Sequence, residues 1–426
     1  MKVTFIKTFS RTPLFKVTSL NSIGILLKIA IGLISSKVIA IFIGPSGMAL
    51  AGNLRNFMTS TESIATLGFQ NGIVKYIVNN KDNEVELKKV ISTVFLSLLT
   101  VSLVLSLVLA AFSMYWNNIV FGGEFEYSSI FSILALTLPW YIVTILLLAI
   151  LNGLGKFRNV IFSNIIGNTI GLVFSVIVVW HYKTFGALLA IIIPPALLFF
   201  VAFYFINKDL NFISTVSFRL FDFQILKNLS SYSLMALVSS VIGPLVFLSI
   251  RHSIIEKLGI ESAGYWEAMN RISSYYLMFI SSILTLYFFP RLAFAETKKA
   301  TKNIFWSYYK TILPIFTFGL LFIYLLRFFI VKLLFTHAFL PVTTLFFWQL
   351  LGDTLKGASL ILGYQFFAKK LTVAFIIAES ISLSVMFFTS NYLIGVYQIE
   401  GVVMAHAITY SIYLSVLVLY FRKTLF

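Results

Sequence analysis

Long apolar stretches, each interrupted by only a few polar positions, recur along the whole chain. A helix needs about 20 mostly apolar residues to cross a membrane. Twelve stretches meet that length: 17–43, 46–78, 90–114, 129–151, 159–181, 185–206, 229–254, 263–289, 303–327, 342–367, 373–394 and 401–421. The polar segments between them are short, which indicates antiparallel neighbours. The pattern predicts an all-α integral membrane protein with about 12 transmembrane helices.

The composition agrees with a membrane protein and excludes several other classes. Of the 426 residues, 59% are apolar and 11% are charged, whereas a soluble domain is about 25% charged. This excludes most soluble enzymes and disordered proteins. The chain has no cysteine, which excludes disulfides and thiolate chemistry.

The basic residues are distributed unequally between the predicted loops. On the side of the N-terminus the loops carry 20 of the 32 Lys and Arg, and on the other side they carry five, with Arg251 counted among those five. Cytoplasmic loops of membrane proteins carry this excess, so both termini are expected to be cytoplasmic. The net charge of +17 then needs no nucleic acid partner. The first span is interrupted by Lys28 and Lys37 and is expected to be a retained signal-anchor.

The longest polar stretch divides the predicted spans into two sets of six. We expect an N-terminal lobe over 1–206, a cytoplasmic linker over 207–228 and a C-terminal lobe over 229–426. Two equal sets of helices are typical of duplicated transporters, whose site lies between the halves.

Sequence similarity between the second and eighth spans supports an internal duplication. The second carries Asn53 and Arg55, and the eighth carries Asn270 and Arg271. Both spans come second in their half, so the halves would be related by an axis along the membrane normal. Chance similarity between two helices is the alternative.

Four basic residues lie deep inside predicted spans: Lys28, Arg55, Arg271 and Lys356. A basic side chain at the centre of a membrane helix costs about 2.5–3.5 kcal/mol. These residues must therefore face a wet cavity, an acidic partner or an anionic ligand. Arginine suits a diphosphate because its planar fork binds pairs of oxygens.

Structural ion pairing is the alternative explanation for these bases. The acidic and basic residues that share a helix face are Glu267 with Arg271, Asp353 with Lys356, and Arg55 with Glu62. Residues three, four or seven apart lie on one face, so each pair can neutralise itself without a ligand.

Carboxylates inside the membrane are costly and usually functional. The candidates for proton or cation coupling are Glu62, Asp353 and Glu379. For His406 we expect a structural role, with hydrogen bonds to Tyr410 and Tyr413 on its own face. The chain has no nucleotide-binding loop and no zinc motif, so neither a cofactor nor a metal is expected.

Several segments resemble a known family. They are GPSGMALAGNLRNF (44–57), NGIVKYI (71–77), WQLLGDTLKGASLILGYQFFAKK (348–370) and AES (378–380). With their spacing, they make the chain similar to the Wzx-type flippases of the MOP exporter superfamily, and among these to the lipid III flippases of enterobacterial common antigen. The resemblance covers nearly the whole chain.

The resemblance implies a MATE-like fold of two six-helix lobes and a transporter rather than an enzyme. Its substrate would be an undecaprenyl-pyrophosphate-linked oligosaccharide, either an O-antigen repeat unit or common antigen lipid III. The substrate would move from the cytoplasmic to the periplasmic leaflet of the bacterial inner membrane. The related lipid II flippase holds its diphosphate with bases in spans one, two and eight, where Lys28, Arg55 and Arg271 lie here. Membrane lipids, a polysaccharide polymerase and a chain-length regulator are the partners that the family implies.

The residues alone leave one other function open and weigh against a second. A proton- or sodium-coupled multidrug exporter of the same fold would place carboxylates in its cavity. The four deep basic residues are matched by four acidic ones, Glu62, Glu267, Asp353 and Glu379, so the net charge of the spans does not decide between the two functions. An integral-membrane glycosyl polymerase usually carries a large periplasmic loop, and the outer loops predicted here are short.

Overall fold

The computed structural model describes residues 13–123 and 125–426, and every regular element in this part of the chain is helical. Inside hydrocarbon a helix satisfies its own backbone polar groups, which explains this uniformity. The helices are α1 Pro13–Ala65, α2 Gln70–Asn80, α3 Glu84–Ala111, α4 Ser113–Phe121, α5 Ser128–Gly153, α6 Phe157–Asp209, α7 Phe212–Thr215, α8 Phe223–Leu237, α9 Gly243–Leu258, α10 Ile260–Ile283, α11 Phe289–Phe294, α12 Lys298–Leu325, α13 Arg327–Leu334, α14 Val342–Ala368 and α15 Thr372–Leu425. The predicted all-α class is confirmed.

Π-helical turns join two pairs of these helices. Val238–Ile242 connects α8 to α9, and Leu284–Phe288 connects α10 to α11. Short 3₁₀ turns occur at Phe218–Leu220 and His337–Phe339.

Within the described ranges, eight helical segments are long and apolar enough to cross a membrane. Three of these helices contain a non-helical residue near a predicted boundary between spans: Gly44 in α1, Lys183 in α6 and Gln398 in α15. Helix α14 has 27 residues and is not among the eight. The multi-spanning character is confirmed, and the number twelve stays a prediction.

The predicted second span, 46–78, is not continuous. Helix α1 ends at Ala65 and α2 begins at Gln70. Between them Leu67 and Gly68 adopt φ values of 53° and 64°. This left-handed backbone ends the helix, and Gly68 adopts it without a steric penalty.

Backbone breaks recur at matching places in the two halves. Gly44 and Gly259 both have positive φ (64° and 86°) and separate the first two spans of each half. Lys183 and Gln398 have φ of 50° and 53° and separate the last two. In each half a long helix, α3 or α12, is followed after one residue by a short one, α4 or α13. These correspondences support the predicted duplication.

The chain divides into two compact units. In its described part, the first comprises 13–38 and 58–237, and the second comprises 39–57 and 238–426. Segment 39–57 of α1 therefore packs with the C-terminal helices. The predicted lobes 1–206 and 229–426 and the linker 207–228 stay a proposal. The compact units describe which helices pack together, whereas a transport lobe is defined by the helices that move together.

The polar stretch predicted as a linker is structured and held against α3. The Ser92 hydroxyl donates to the Thr215 carbonyl at 3.1 Å and accepts from the Ser217 amide at 3.1 Å. The Asp222 amide donates to the Thr93 hydroxyl at 3.0 Å. This stretch is thereby attached to the first unit.

The core of the second unit surrounds the helices that carry its charged residues. Met48 of α1, Trp266 of α10 and Phe346 of α14 are all buried in it. This apolar packing fixes the relative rotation of α1, α9, α10 and α14, and so decides which polar side chains meet.

Candidate functional site

Three arginines surround one carboxylate in the second unit. Glu267 accepts from Arg55 Nη1 at 2.7 Å through Oε1 and from Arg251 Nη2 at 2.7 Å through Oε2. Arg271 Nε lies 3.4 Å from Oε1. Arg251 also donates to Asn53 Oδ1 at 3.1 Å. We call Arg55, Arg251, Arg271 and Glu267 the arginine cluster.

Three helices supply the cluster, and close backbone packing brings them together. Glu267 and Arg271 are four residues apart on one face of α10. Glycines lie where the helices approach. A Cβ on Gly264 would overlap the backbone of Pro45, and a Cβ on Gly52 would meet the Glu267 carboxylate. Larger residues at either position would separate α1 from α10 and disperse the charges.

The arginine cluster carries an excess of positive charge. Three guanidinium groups and one carboxylate give a formal charge of +2. The side chain of Arg55 is 41% exposed, whereas those of Arg251 and Arg271 are 1% and 8% exposed. Burial strengthens electrostatic attraction because the local dielectric is low. The arrangement is suited to binding an anion that enters from the side of Arg55.

Unused donors lie close in sequence to these arginines. Within the described part of the chain, the side-chain amide nitrogens of Asn56 and Asn270 and the Nε of Arg251 are buried and donate no hydrogen bond. A buried donor without a partner costs free energy. An oxygen-rich ligand would supply acceptors for such groups.

The four predicted bases lie in different surroundings. Arg55 and Arg271 meet at Glu267, as described above. Lys28 is exposed on the first unit. Lys356 is half-buried on α14, with Nζ 5.0 Å from the Tyr410 ring centroid. Of the three predicted diphosphate ligands in the second unit, the structure therefore brings the two arginines together and leaves Lys356 apart from them.

Arg55 and Glu62, which were considered as an ion pair, have different hydrogen-bond partners. Arg55 binds Glu267, while Glu62 accepts from Tyr141 at 2.5 Å and from Gln70 at 3.1 Å. A separation of two turns along α1 places Arg55 and Glu62 against different neighbouring helices. The predicted Glu267–Arg271 contact is present at 3.4 Å.

Asp353 and Lys356 interact electrostatically, but the hydrogen bonds of Asp353 go to a second polar cluster. Asp353 is fully buried. It accepts from Ser273 at 2.7 Å, from Tyr276 and from Gln349 at 3.2 Å. His406 Nε2 lies 3.0 Å from its Oδ1.

His406 was expected to bond Tyr410 and Tyr413, and this expectation is wrong. Its Nε2 contacts Asp353, and the Tyr410 ring only packs edge-on with centroids 4.8 Å apart. The third predicted coupling residue, Glu379, is half-buried on α15 and interacts electrostatically with Lys356.

Comparison with known proteins places the chain in a family. Residues 14–296 match the polysaccharide biosynthesis protein family. The chain belongs to this family. A lipid III flippase of Escherichia coli K12 is 29% identical over 401 residues, which cover 92% of this chain and 94% of the relative. This family member therefore corresponds to that relative along nearly its whole length.

Solved structures with the same fold include exporters and a lipid flippase. An inward-facing multidrug resistance MATE family transporter of the MOP superfamily gives a TM-score of 0.73 at 14% identity, over 93% of this chain and 94% of that one. The lipid II flippase MurJ in an inward closed conformation also gives 0.73, at 18% identity, over 96% and 87%. At these identities the comparison establishes the shared MATE-like fold of this family member and nothing finer.

Sequence reasoning missed Arg251 and the partner of His406. Arg251 was counted with the outer loops but lies within α9 and is 1% exposed. One signal was available: Arg251 precedes Glu267 by 16 residues across the turn at Gly259, a spacing that places the two at similar depth on adjacent antiparallel helices. No comparable signal paired His406 with Asp353, which lies 53 residues away.

Proposed function

We propose that this protein flips a lipid-linked oligosaccharide with a diphosphate head across the bacterial inner membrane. The relationship to a lipid III flippase supports this function, as does the fold shared with a lipid II flippase. Transport, rather than catalysis, is the activity proposed. The substrate is an undecaprenyl-pyrophosphate-linked sugar, either an O-antigen repeat unit or lipid III.

The observation that carries the proposal is the arginine cluster with its formal charge of +2. A diphosphate joined to a sugar and a lipid brings roughly two negative charges at neutral pH. Moving them from water into a membrane protein is costly unless cations compensate them. Guanidinium groups do this well, since they are always charged and bind oxygens in pairs.

The predicted residues take unequal roles in this proposal. Arg55 and Arg271 bind the diphosphate directly. Lys28 and Lys356 are proposed as further cations for the diphosphate head. A lysine contributes a point charge and not a fork, so each would attract the head without fixing its orientation.

The movement is alternating access between the two lobes, with the prenyl tail left in lipid. Head binding can shift the conformational equilibrium only by its difference in affinity for the two states. The excess of basic residues in alternate loops supports cytoplasmic termini. Delivery to the periplasmic leaflet would supply a polysaccharide polymerase and its chain-length regulator.

The return step is proposed to depend on a proton or cation at an intramembrane carboxylate. Among Glu62, Asp353 and Glu379, Asp353 is favoured, because it is fully buried and lies 3.0 Å from His406. Protonation of the imidazole would convert this hydrogen bond into a charge pair. Glu62, with its bonds to Tyr141 and Gln70, is the second candidate.

Export of cationic drugs is less well supported. A cavity for such drugs needs negative charge, and the cluster is positive because each of the three arginines meets the same carboxylate. A positive site repels cations before they reach contact.

Complementation tests the proposal. The chain is expressed in flippase-deficient strains, and lipopolysaccharide and common-antigen ladders are blotted. Wild type should restore one ladder, whereas Arg55→Gln and Arg271→Gln should not, at equal membrane levels. Arg219→Gln, at an exposed arginine, is the matched control and should restore it.

Two outcomes would refute the proposal. Full rescue by both cluster variants would exclude the arginines as the diphosphate site. Failure of wild type with both antigens, together with resistance to cationic drugs on expression, would favour the exporter.

A further inference from the structure

The two oxygens of Glu267 have different partners. Oε2 binds Arg251, whose side chain is 1% exposed. Oε1 contacts Arg55 and Arg271, the two arginines proposed to bind the diphosphate. One oxygen is therefore fixed in the interior, and the other occupies the guanidinium groups that the substrate would need.

Arg251 is itself fixed on every side. Its guanidinium lies 5.2 Å from the centroid of Trp266, and Trp266 stacks on Phe247 with centroids 5.5 Å apart. It also donates to Asn53 at 3.1 Å. A residue so enclosed keeps its carboxylate partner when a ligand arrives, which makes Arg251 a positioning residue.

We propose that Glu267 is an internal stand-in for the substrate diphosphate, holding Arg55 and Arg271 while the site is empty and releasing them to phosphate oxygens. Arg251 retains the carboxylate during the exchange. This inference rests on the proposed function and adds to it that Glu267 limits the affinity for the substrate diphosphate. Arg55, at 41% exposure, is the first to be exchanged.

The physical need for a stand-in follows from the charges. Without Glu267, three guanidinium groups would lie together in a membrane protein and repel one another. With Glu267, the empty site carries +2, which matches the charge of the diphosphate head. When the head leaves, the carboxylate pairs with the arginines again, so the empty site carries a formal charge of +2 rather than +3.

The stand-in must also compete with the substrate. A flippase has to release its cargo, so very tight binding of the head would stop the cycle. Glu267 weakens binding in two ways, by repelling the diphosphate and by occupying its ligands. Removing the charge of Glu267 should therefore tighten binding and slow transport, a combination that simple loss of structure does not produce.

The test measures binding of a short-chain prenyl-diphosphoryl-N-acetylglucosamine to purified full-length protein in detergent. Glu267→Gln should bind this probe at least about tenfold more tightly than wild type, since the side chain no longer holds Arg55 and Arg271 as a charged partner and no longer repels the head. Glu261→Gln makes the same charge change at an exposed position of α10 and should bind like wild type.

A double variant tests the competition itself. If Glu267 and the probe share Arg55, the gain from Glu267→Gln should be smaller in an Arg55→Gln background, because competition for Arg55 no longer contributes to it. An unchanged gain in that background would show only general repulsion and would overturn the stand-in role. In reconstituted vesicles Glu267→Gln should lower the maximal flipping rate while lowering the half-saturating probe concentration.

The outcomes separate this inference from the proposed function. If wild type and Glu267→Gln both fail to bind the probe, the proposed function is wrong and the inference with it. If wild type binds and Glu267→Gln binds no more tightly, only the inference is wrong. Should Glu267→Gln not fold, Glu267→Asp replaces it. This shorter carboxylate stays with Arg251 and withdraws from Arg55, so it should also tighten binding, and unchanged affinity would refute the inference.

Discussion

Replacing Arg251 by methionine should be the most destabilising single substitution among the three arginines of the cluster. Methionine fills much of the same volume but removes the partner of Glu267 Oε2, which lies 2.7 Å away with both side chains buried. Breaking a buried ion pair from one side costs about 3–5 kcal/mol, because a buried charge loses its compensation. The Asn53 oxygen would lose its donor as well.

Arg55 provides the matched comparison, since it binds the same carboxylate at the same distance of 2.7 Å. Its side chain is 41% exposed, so solvent screens the interaction. Exposed pairs contribute about 0–1 kcal/mol. Arg55→Met should therefore change stability little, although it removes the residue proposed to meet the substrate first.

The assay is thermal unfolding in detergent, followed by tryptophan fluorescence. Trp266 lies under the Arg251 guanidinium, so its emission reports on the site directly. Arg251→Met should unfold several degrees below wild type and Arg55→Met close to it. Equal midpoints for both variants, or a lower midpoint for Arg55→Met, would refute the reasoning that burial decides the strength of these pairs.

Three further predictions follow from packing, backbone strain and the second polar cluster. Gly264→Ala should lower the unfolding temperature because its Cβ would overlap the backbone of α1. Gly319→Ala has open space around it and should raise stability by about 1 kcal/mol through helix propensity. Equal effects of the two variants in the same assay would contradict the close approach of α10 to α1. Gln398→Gly should stabilise by about 1 kcal/mol, since the φ of 53° strains a residue with a Cβ, and a lower unfolding temperature would count against strain. Asp353→Asn keeps its hydrogen-bond acceptor but loses the charge paired with His406, so it should fold and fail to restore antigen ladders; full rescue would exclude Asp353 from coupling.

The sequence alone was sufficient for the class of protein and for most helix positions. Hydropathy acts locally, because each segment partitions between lipid and water largely by its own composition. The breaks at Gly44, Lys183 and Gln398 accordingly fall near predicted boundaries. The break after Ala65 was missed because the positive φ at Leu67 has no marker in an ordinary apolar residue.

The partners of the buried charges were decided by the tertiary structure. Spacing along one helix correctly joined Glu267 to Arg271, where both lie on the same face. The same rule failed for Asp353, which turns towards His406 on another helix. Which helices become neighbours, and which of their faces meet, depends on apolar packing distributed over the whole unit. A buried charge takes the best partner that this packing brings within reach, so its local sequence cannot specify that partner.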